Sequence, residues 1–175
     1  MKKYRRLQNL LFYFVFSVYV VIVLQIILFK SVPVWQIFSE NRRMLRGLNI
    51  VPFYYFITDD MIARTFAFSN IFGNIILFIP LGVYLPVLRR SQKVFGNILL
   101  IFFMSLSVEI LQYLFAIGIT DIDDVFLNCA GGFVGLVLYK ALLLMTKSAE
   151  KARFVITIIA PLAGALCVFL IAVFG

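Results

Sequence analysis

The residues able to do chemistry concentrate in one stretch, Thr120-Asp121-Ile122-Asp123-Asp124-Val125-Phe126-Leu127-Asn128. The chain has eight acidic residues among 175, and three of them stand here, at the mouth of an apolar run that opens with Val125. Closely spaced carboxylates suit a hard divalent cation, which takes oxygen ligands. That makes Asp121, Asp123 and Asp124 metal candidates, although Asp-x-Asp-Asp lacks the spacing of a calcium loop. A plainer use is capping, since a carboxylate ahead of a helix satisfies its free N–H groups and complements the dipole. One aspartate suffices for that. Glu109 is a further carboxylate set among apolar residues. An ionised group inside a membrane span costs about 3 kcal/mol or more on insertion scales, so Glu109 reads as functional and is the candidate catalytic acid or base. The chain has no histidine, which removes Ser-His and Cys-His nucleophile pairs, His-ligated zinc and the usual neutral-pH base. Cys129 and Cys167 lie within apolar runs and behave as small apolar residues.

The elements that position these groups are membrane spans. With 63% hydrophobic residues, 14% charged residues and a mean hydropathy of +1.05, the chain is too apolar for water to be its solvent. Five runs, at about 7–29, 71–88, 95–115, 125–144 and 154–174, each approach the ~20 residues of a bilayer crossing. The expected fold is an all-α integral membrane domain over 1–175, a five-helix transmembrane bundle. The first run is too long for a signal-peptide core, and no small-x-small cleavage site follows it, so it reads as a retained helix. Lysine and arginine set the orientation. With the N-terminus inside and the C-terminus outside, eleven of the sixteen basic residues fall on the inner side. Residues 30–70 then form a long outer segment, partly interfacial, carrying Trp35, the basic group Arg42, Arg43 and Arg46, and Tyr54-Tyr55. Basic residues in short groups beside apolar runs point to topology and anionic headgroups, and not to nucleic acid.

This topology brings the polar side chains to one depth. At 1.5 Å per residue Glu109 lies about 9 Å below the outer end of its helix, and Asn128 about 6 Å below the outer end of the next. Ser105, Glu109 and Gln112 share a face by their i, i+4, i+7 spacing, as do Asp121, Asp124 and Asn128, while Asn70 and Asn74 are one turn apart. The expected site is one polar cavity open to the outer leaflet, made by Asn74, Glu109, Gln112, Asp121, Asp124 and Asn128. Arg42, Arg43 and Arg46 are anion-binding candidates above it, with Arg46 suited to neutralise Glu109. Taken singly, Asn74, Gln112 and Asn128 are explained by hydrogen bonds between helices, each worth about 1 kcal/mol or less. Gly131 and Gly135 are a small-xxx-small pair that reads as close helix packing.

Four of these segments together resemble the VanZ-like family of bacterial membrane proteins. They are Asn49-Ile50-Val51-Pro52-Phe53, Asn74 to Gly82, Ser105 to Gln112 and Asp121 to Gly132, in that order within roughly Asn49 to Tyr139. The resemblance implies a multi-pass cell-membrane protein of a Gram-positive bacterium that lowers susceptibility to teicoplanin-type lipoglycopeptides. Its implied partners are membrane lipids and either the antibiotic or a lipid-linked cell-wall precursor. Many relatives carry an arginine three residues before the first aspartate, where this chain has Gly118, so Arg42, Arg43 or Arg46 would have to balance the carboxylates. The alternative is an integral membrane enzyme acting on a lipid or lipid-linked phosphate. Glu109 would then be acid or base, the three aspartates would hold a divalent cation, and the outer arginines would recruit the phosphate. A transporter fits less well, because no inverted repeat is visible.

Overall fold

A computed structural model describes residues 2–32, 39, 44–54 and 61–174. Arg42 and Arg43, like Trp35 and Tyr55, lie outside them. The elements in order are α1 (Lys2–Leu28), β1 (Leu45–Asn49), α2 (Met61–Arg89), α3 (Val94–Phe115), β2 (Ile117–Asp121), α4 (Ile122–Thr146) and α5 (Ala149–Phe174). Among the described residues four helices are long and apolar enough to cross a membrane: Arg5–Leu28, Phe68–Arg89, Val94–Phe115 and Ile122–Thr146. Helices α1 to α4 alternate in direction, so the ends of α1 and α3 meet the starts of α2 and α4 at one end of the bundle. The turns from α2 to α3 and from α4 to α5 lie at the other.

Four helix starts differ from the expected ones, α1 among them, which begins at Lys2 and not residue 7. Helix α2 begins at Met61, not residue 71, which shortens the outer segment and makes Asn70 helical. Helix α4 begins at Ile122, so Asp123 and Asp124 occupy its first turn, and α5 begins at Ala149. Polar residues at these starts mask helix from a hydropathy reading, although helix needs no apolar side chain. The structure also adds a two-stranded parallel sheet to the helical fold. Leu45 pairs with Ile117, Arg46 with Gly118 and Asn49 with Asp121. Its partners are separated in sequence by two whole helices, so no local pattern announces the pairing. Ala116 takes the left-handed conformation (φ 50°) that ends α3, and its N–H reaches the Gln112 and Tyr113 carbonyls. The chain then reverses directly into β2.

Helices α2 and α4 make the tightest crossing, and glycines permit it. A Cβ on Gly131 would overlap the Ile75 carbonyl, one on Gly135 the Ile79 carbonyl, and one on Gly82 the Gly132 carbonyl. Backbone thus lies against backbone, the arrangement that small residues allow in membranes. Helix α1 packs on α2 through Tyr19, whose hydroxyl donates to the Leu77 carbonyl (2.7 Å) and accepts from the Leu81 N–H (3.1 Å). In an unbroken helix those two groups bond to each other, and Pro80 lies between them. Arg89 closes the α2–α3 corner by donating to the Gly96 carbonyl and to Oδ1 of the fully buried Asn97. One apolar cluster joins Ile27, Phe78, Leu81, Ile101 and Val108, and a second joins Phe12, Tyr84, Tyr139, Ala152 and Ile156.

The crossing makes a direct prediction. Gly135→Leu must push two backbones apart and costs about 3 kcal/mol. Gly73→Ala, on the same pair's α2 but with no atom near the added methyl, leaves stability unchanged or raises it slightly. Thermal melts of the two purified variants in detergent check the contrast.

Candidate functional site

The first turn of α4 gathers the polar residues. Asp121 is its N-cap, with Oδ1 accepting from the Asp123 N–H at 2.9 Å, so capping is the right reading for this aspartate. Its Oδ2 accepts from the Asn49 amide at 3.1 Å, and the Asn49 side-chain oxygen in turn accepts from the Val51 N–H. The Asp123 carboxylate reaches out of the helix and takes the Phe53 N–H on both oxygens, at 3.0 and 2.8 Å. Phe53 presents that N–H from a left-handed conformation (φ 56°) just after Pro52. Asp124 points to α2, where its Oδ1 accepts from the amides of Asn70 and Asn74, both at 2.6 Å. Its Oδ2 pairs with Lys30 Nζ at 3.1 Å, and Lys30 also donates to Asn70 Oδ1.

Glu109 comes in from α3. Its Oε2 accepts from the Asp121 N–H at 2.9 Å, while its backbone carbonyl accepts from the Thr120 hydroxyl. Ser105, one turn earlier, accepts from the Asn128 amide at 2.8 Å. Gln112 donates to the Ile27 carbonyl at the end of α1 at 2.9 Å. Every one of Asn74, Glu109, Gln112, Asp121, Asp123, Asp124 and Asn128 is at most 6% exposed. The expected open cavity is therefore replaced here by a packed polar network in which side chains spend most of their capacity on one another. Three oxygens of the network are buried with no hydrogen-bond partner among the described residues: Glu109 Oε1, Gln112 Oε1 and Asn128 Oδ1.

The three aspartates share a helix start but serve three different neighbours: β1, the Pro52 turn and α2. Among the described residues no three His, Cys, Asp or Glu side chains converge as a metal ion needs, and the donor set does not fit a divalent cation. Arg46 does not neutralise Glu109. It donates to the Leu114 carbonyl (3.3 Å) and lies over the Tyr113 ring, because β1 directs it to the rim of α3. Arg42 and Arg43 fall outside the described residues. Among the described residues the cation that meets the carboxylates is Lys30, which the sequence placed only as an outer-side charge. A Cβ on Gly118 would lie 3.6 Å from Ser31 Oγ and 3.3 Å from Gln112 Nε2. Asn70, which the sequence places one turn from Asn74 but outside the expected site, is a direct partner of Asp124.

With this geometry in place, comparison with known proteins is decisive. The VanZ/LLP1 family matches residues 16–145. The chain belongs to the VanZ-like family. Protein VanZ of Enterococcus faecium is 35% identical over 124 residues, which cover 70% of each chain. No solved structure matches. The four segments that carry the VanZ-like resemblance are the ones that meet at the start of α4: Asn49 and Phe53 of the first, Asn74 of the second, Ser105 and Glu109 of the third, and the aspartates and Asn128 of the fourth.

Two outcomes are expected from this network. Asp124→Ala strands two amides and an ammonium group and destabilises the protein by about 3 kcal/mol. Lys30→Met costs about 1 kcal/mol, because Lys30 is 44% exposed and its charge is screened. The double variant loses less than the two single losses added, as chemical unfolding of the three purified proteins will read. The second outcome concerns pH. Burial raises the Asp121 carboxyl above its ordinary 3.8, against the lowering pull of the Asp123 N–H and the Asn49 amide, and the charges of Asp124 and Asp123 raise it further. The folded state then holds this proton more tightly than the unfolded chain. Asp121's contribution to stability therefore falls as pH rises from 3.8 through the raised folded value, and is level above it. The melting-temperature difference between wild type and Asp121→Asn should shrink across that window.

Proposed function

We propose that the protein lowers susceptibility to teicoplanin-type lipoglycopeptide antibiotics by acting at the outer leaflet of the cell membrane, as a multi-pass protein of five spans with its N-terminus inside. The observation that carries this reading is that the VanZ-like segments converge on one charged, buried network at one end of the bundle. The excess of lysine and arginine at the opposite end favours that end as cytoplasmic, which puts the network in the leaflet where a lipid-anchored antibiotic inserts. The ligand is the antibiotic itself or the lipid-linked wall precursor it competes for. The network's role is to hold β1 and the turn after it against the membrane surface, with Arg46 at the rim facing an anionic partner.

Expression in a susceptible Gram-positive host should raise the inhibitory concentration of teicoplanin. Arg46→Ala should remove much of that protection while the amount of inserted protein stays constant. Full protection by an Arg46→Ala protein present at native level would sink the surface-facing reading.

A second reading, catalysis on a lipid or lipid-linked phosphate, draws on Glu109 Oε1, a buried carboxylate oxygen without a hydrogen-bond partner. It requires Glu109→Gln to change the profile of lipid-linked wall precursors, whereas the first reading leaves that profile as it is.

A further inference from the structure

The end of the bundle opposite the carboxylate network holds a cavity of about 230 Å³ between the starts of α1 and α5 and the end of α2. Arg5, Gln8, Asn9, Arg90, Arg153 and Thr157 line it. Glu150 lines it too, but it is taken by Arg5 in a surface ion pair at 2.7 Å. Two arginines are left over. Arg90 ends α2 in a left-handed conformation (φ 51°) and has no hydrogen bond or ion pair among the described residues. Arg153 is held by aromatic rings, its guanidinium lying 4.3 Å from the centre of the fully buried Phe12 ring and 5.4 Å from that of Tyr13. Its Nε and Nη2 are buried with no acceptor.

The Phe12 and Tyr13 rings offset only part of the cost of burying the Arg153 guanidinium, because its Nε and Nη2 have given up water without gaining an acceptor. Two arginines lining one cavity, with two carboxamides beside them, match the multi-acceptor character of a phosphate. The surroundings say what the phosphate is attached to. Phe154 also lines the cavity and is 48% exposed. Leu11, one turn beyond Gln8 on α1, and Ile158, one turn beyond Phe154 on α5, are exposed too. A polar cavity at a helix-bundle end, leading onto an apolar helix surface, fits a headgroup with its acyl chains, as basic pockets between membrane helices do.

We propose that this cavity binds the phosphate group of an anionic phospholipid in the leaflet at the basic end of the bundle. Arg90 and Arg153 provide the charge, and Gln8 and Asn9 provide neutral hydrogen bonds, while the Thr157 hydroxyl is already donated to the Arg153 carbonyl at 2.8 Å. The site is separate from the network at the start of α4, so either proposal can fail without the other.

Native mass spectrometry of the full chain in detergent tests it, with dioleoylphosphatidylglycerol or dioleoylphosphatidylcholine added at equal concentration. Wild type should retain phosphatidylglycerol in preference to phosphatidylcholine, and Arg90→Gln and Arg153→Gln should each reduce that retention about fivefold. Gly73→Ala, on α2 with no atom near the added methyl, should retain it fully. Arg90 has no hydrogen bond or ion pair among the described residues, so Arg90→Gln remains informative even if Arg153→Gln unfolds. Equal retention of the two lipids, or native retention by Arg90→Gln, overturns the proposal. Complete displacement of phosphatidylglycerol by excess inorganic phosphate overturns the lipid source and assigns the site to free phosphate.

Discussion

Carboxylates buried at a helix start must each find donors, and that requirement organises one end of this molecule. The free N–H groups at the start of α4 account for one oxygen of Asp121. Every other donor has to come from elsewhere in the chain, and the structure supplies them from Asn49, Phe53, Asn70, Asn74 and Lys30. Each donor drags its own element into place. The β1 strand and the turn after it, the start of α2 and the end of α1 are held against α4 by bonds that cannot be lost singly without leaving a buried group unpaired. Glu109 extends the same logic to α3 by accepting the Asp121 N–H.

The glycine crossing of α2 and α4 is the apolar counterpart of that network. Backbone contact at Gly82, Gly131 and Gly135 sets the two helices close enough for Asn74 and Asp124, about two to three turns nearer the end, to meet at hydrogen-bond distance. The polar bonds then fix the register that close packing alone leaves free, since a row of small residues can slide by a turn while a carboxylate with three donors cannot. At the other end the chain is handled differently. There Arg89 is consumed by the α2–α3 corner, but Arg90 and Arg153 are left to face a cavity. The two ends of one bundle thus carry opposite charge arrangements, one closed on itself and one open to a ligand.

Much of this was legible from residue types. Hydropathy located the bulk of the four apolar helices, and i, i+4 spacing placed Ser105, Glu109 and Gln112 on one face and Asn70 with Asn74 on another. The small-xxx-small pair on α4 announced the close crossing. Boundaries were less legible, since α2 runs on to Met61 and α4 to Ile122 through polar residues that hydropathy discounts. The sheet was not legible at all. Pairing of Arg46 with Gly118 joins residues on either side of two helices, and neither strand alternates in a way that marks it.

By itself, then, the sequence determined that the chain lives in a bilayer, which side chains are too polar to face lipid, and which of them share a helix face. Those are consequences of solvent and of helical period, and both act within a few turns. Which cation meets which carboxylate was decided only by tertiary structure. Arg42, Arg43 and Arg46 were the candidates by proximity along the outer segment. Yet β1 turns Arg46 to the rim of α3, and Lys30 reaches Asp124 from the end of α1 across 94 positions of sequence. Charge pairing depends on where helix ends and strand registers bring atoms in space, and no local pattern carries that information.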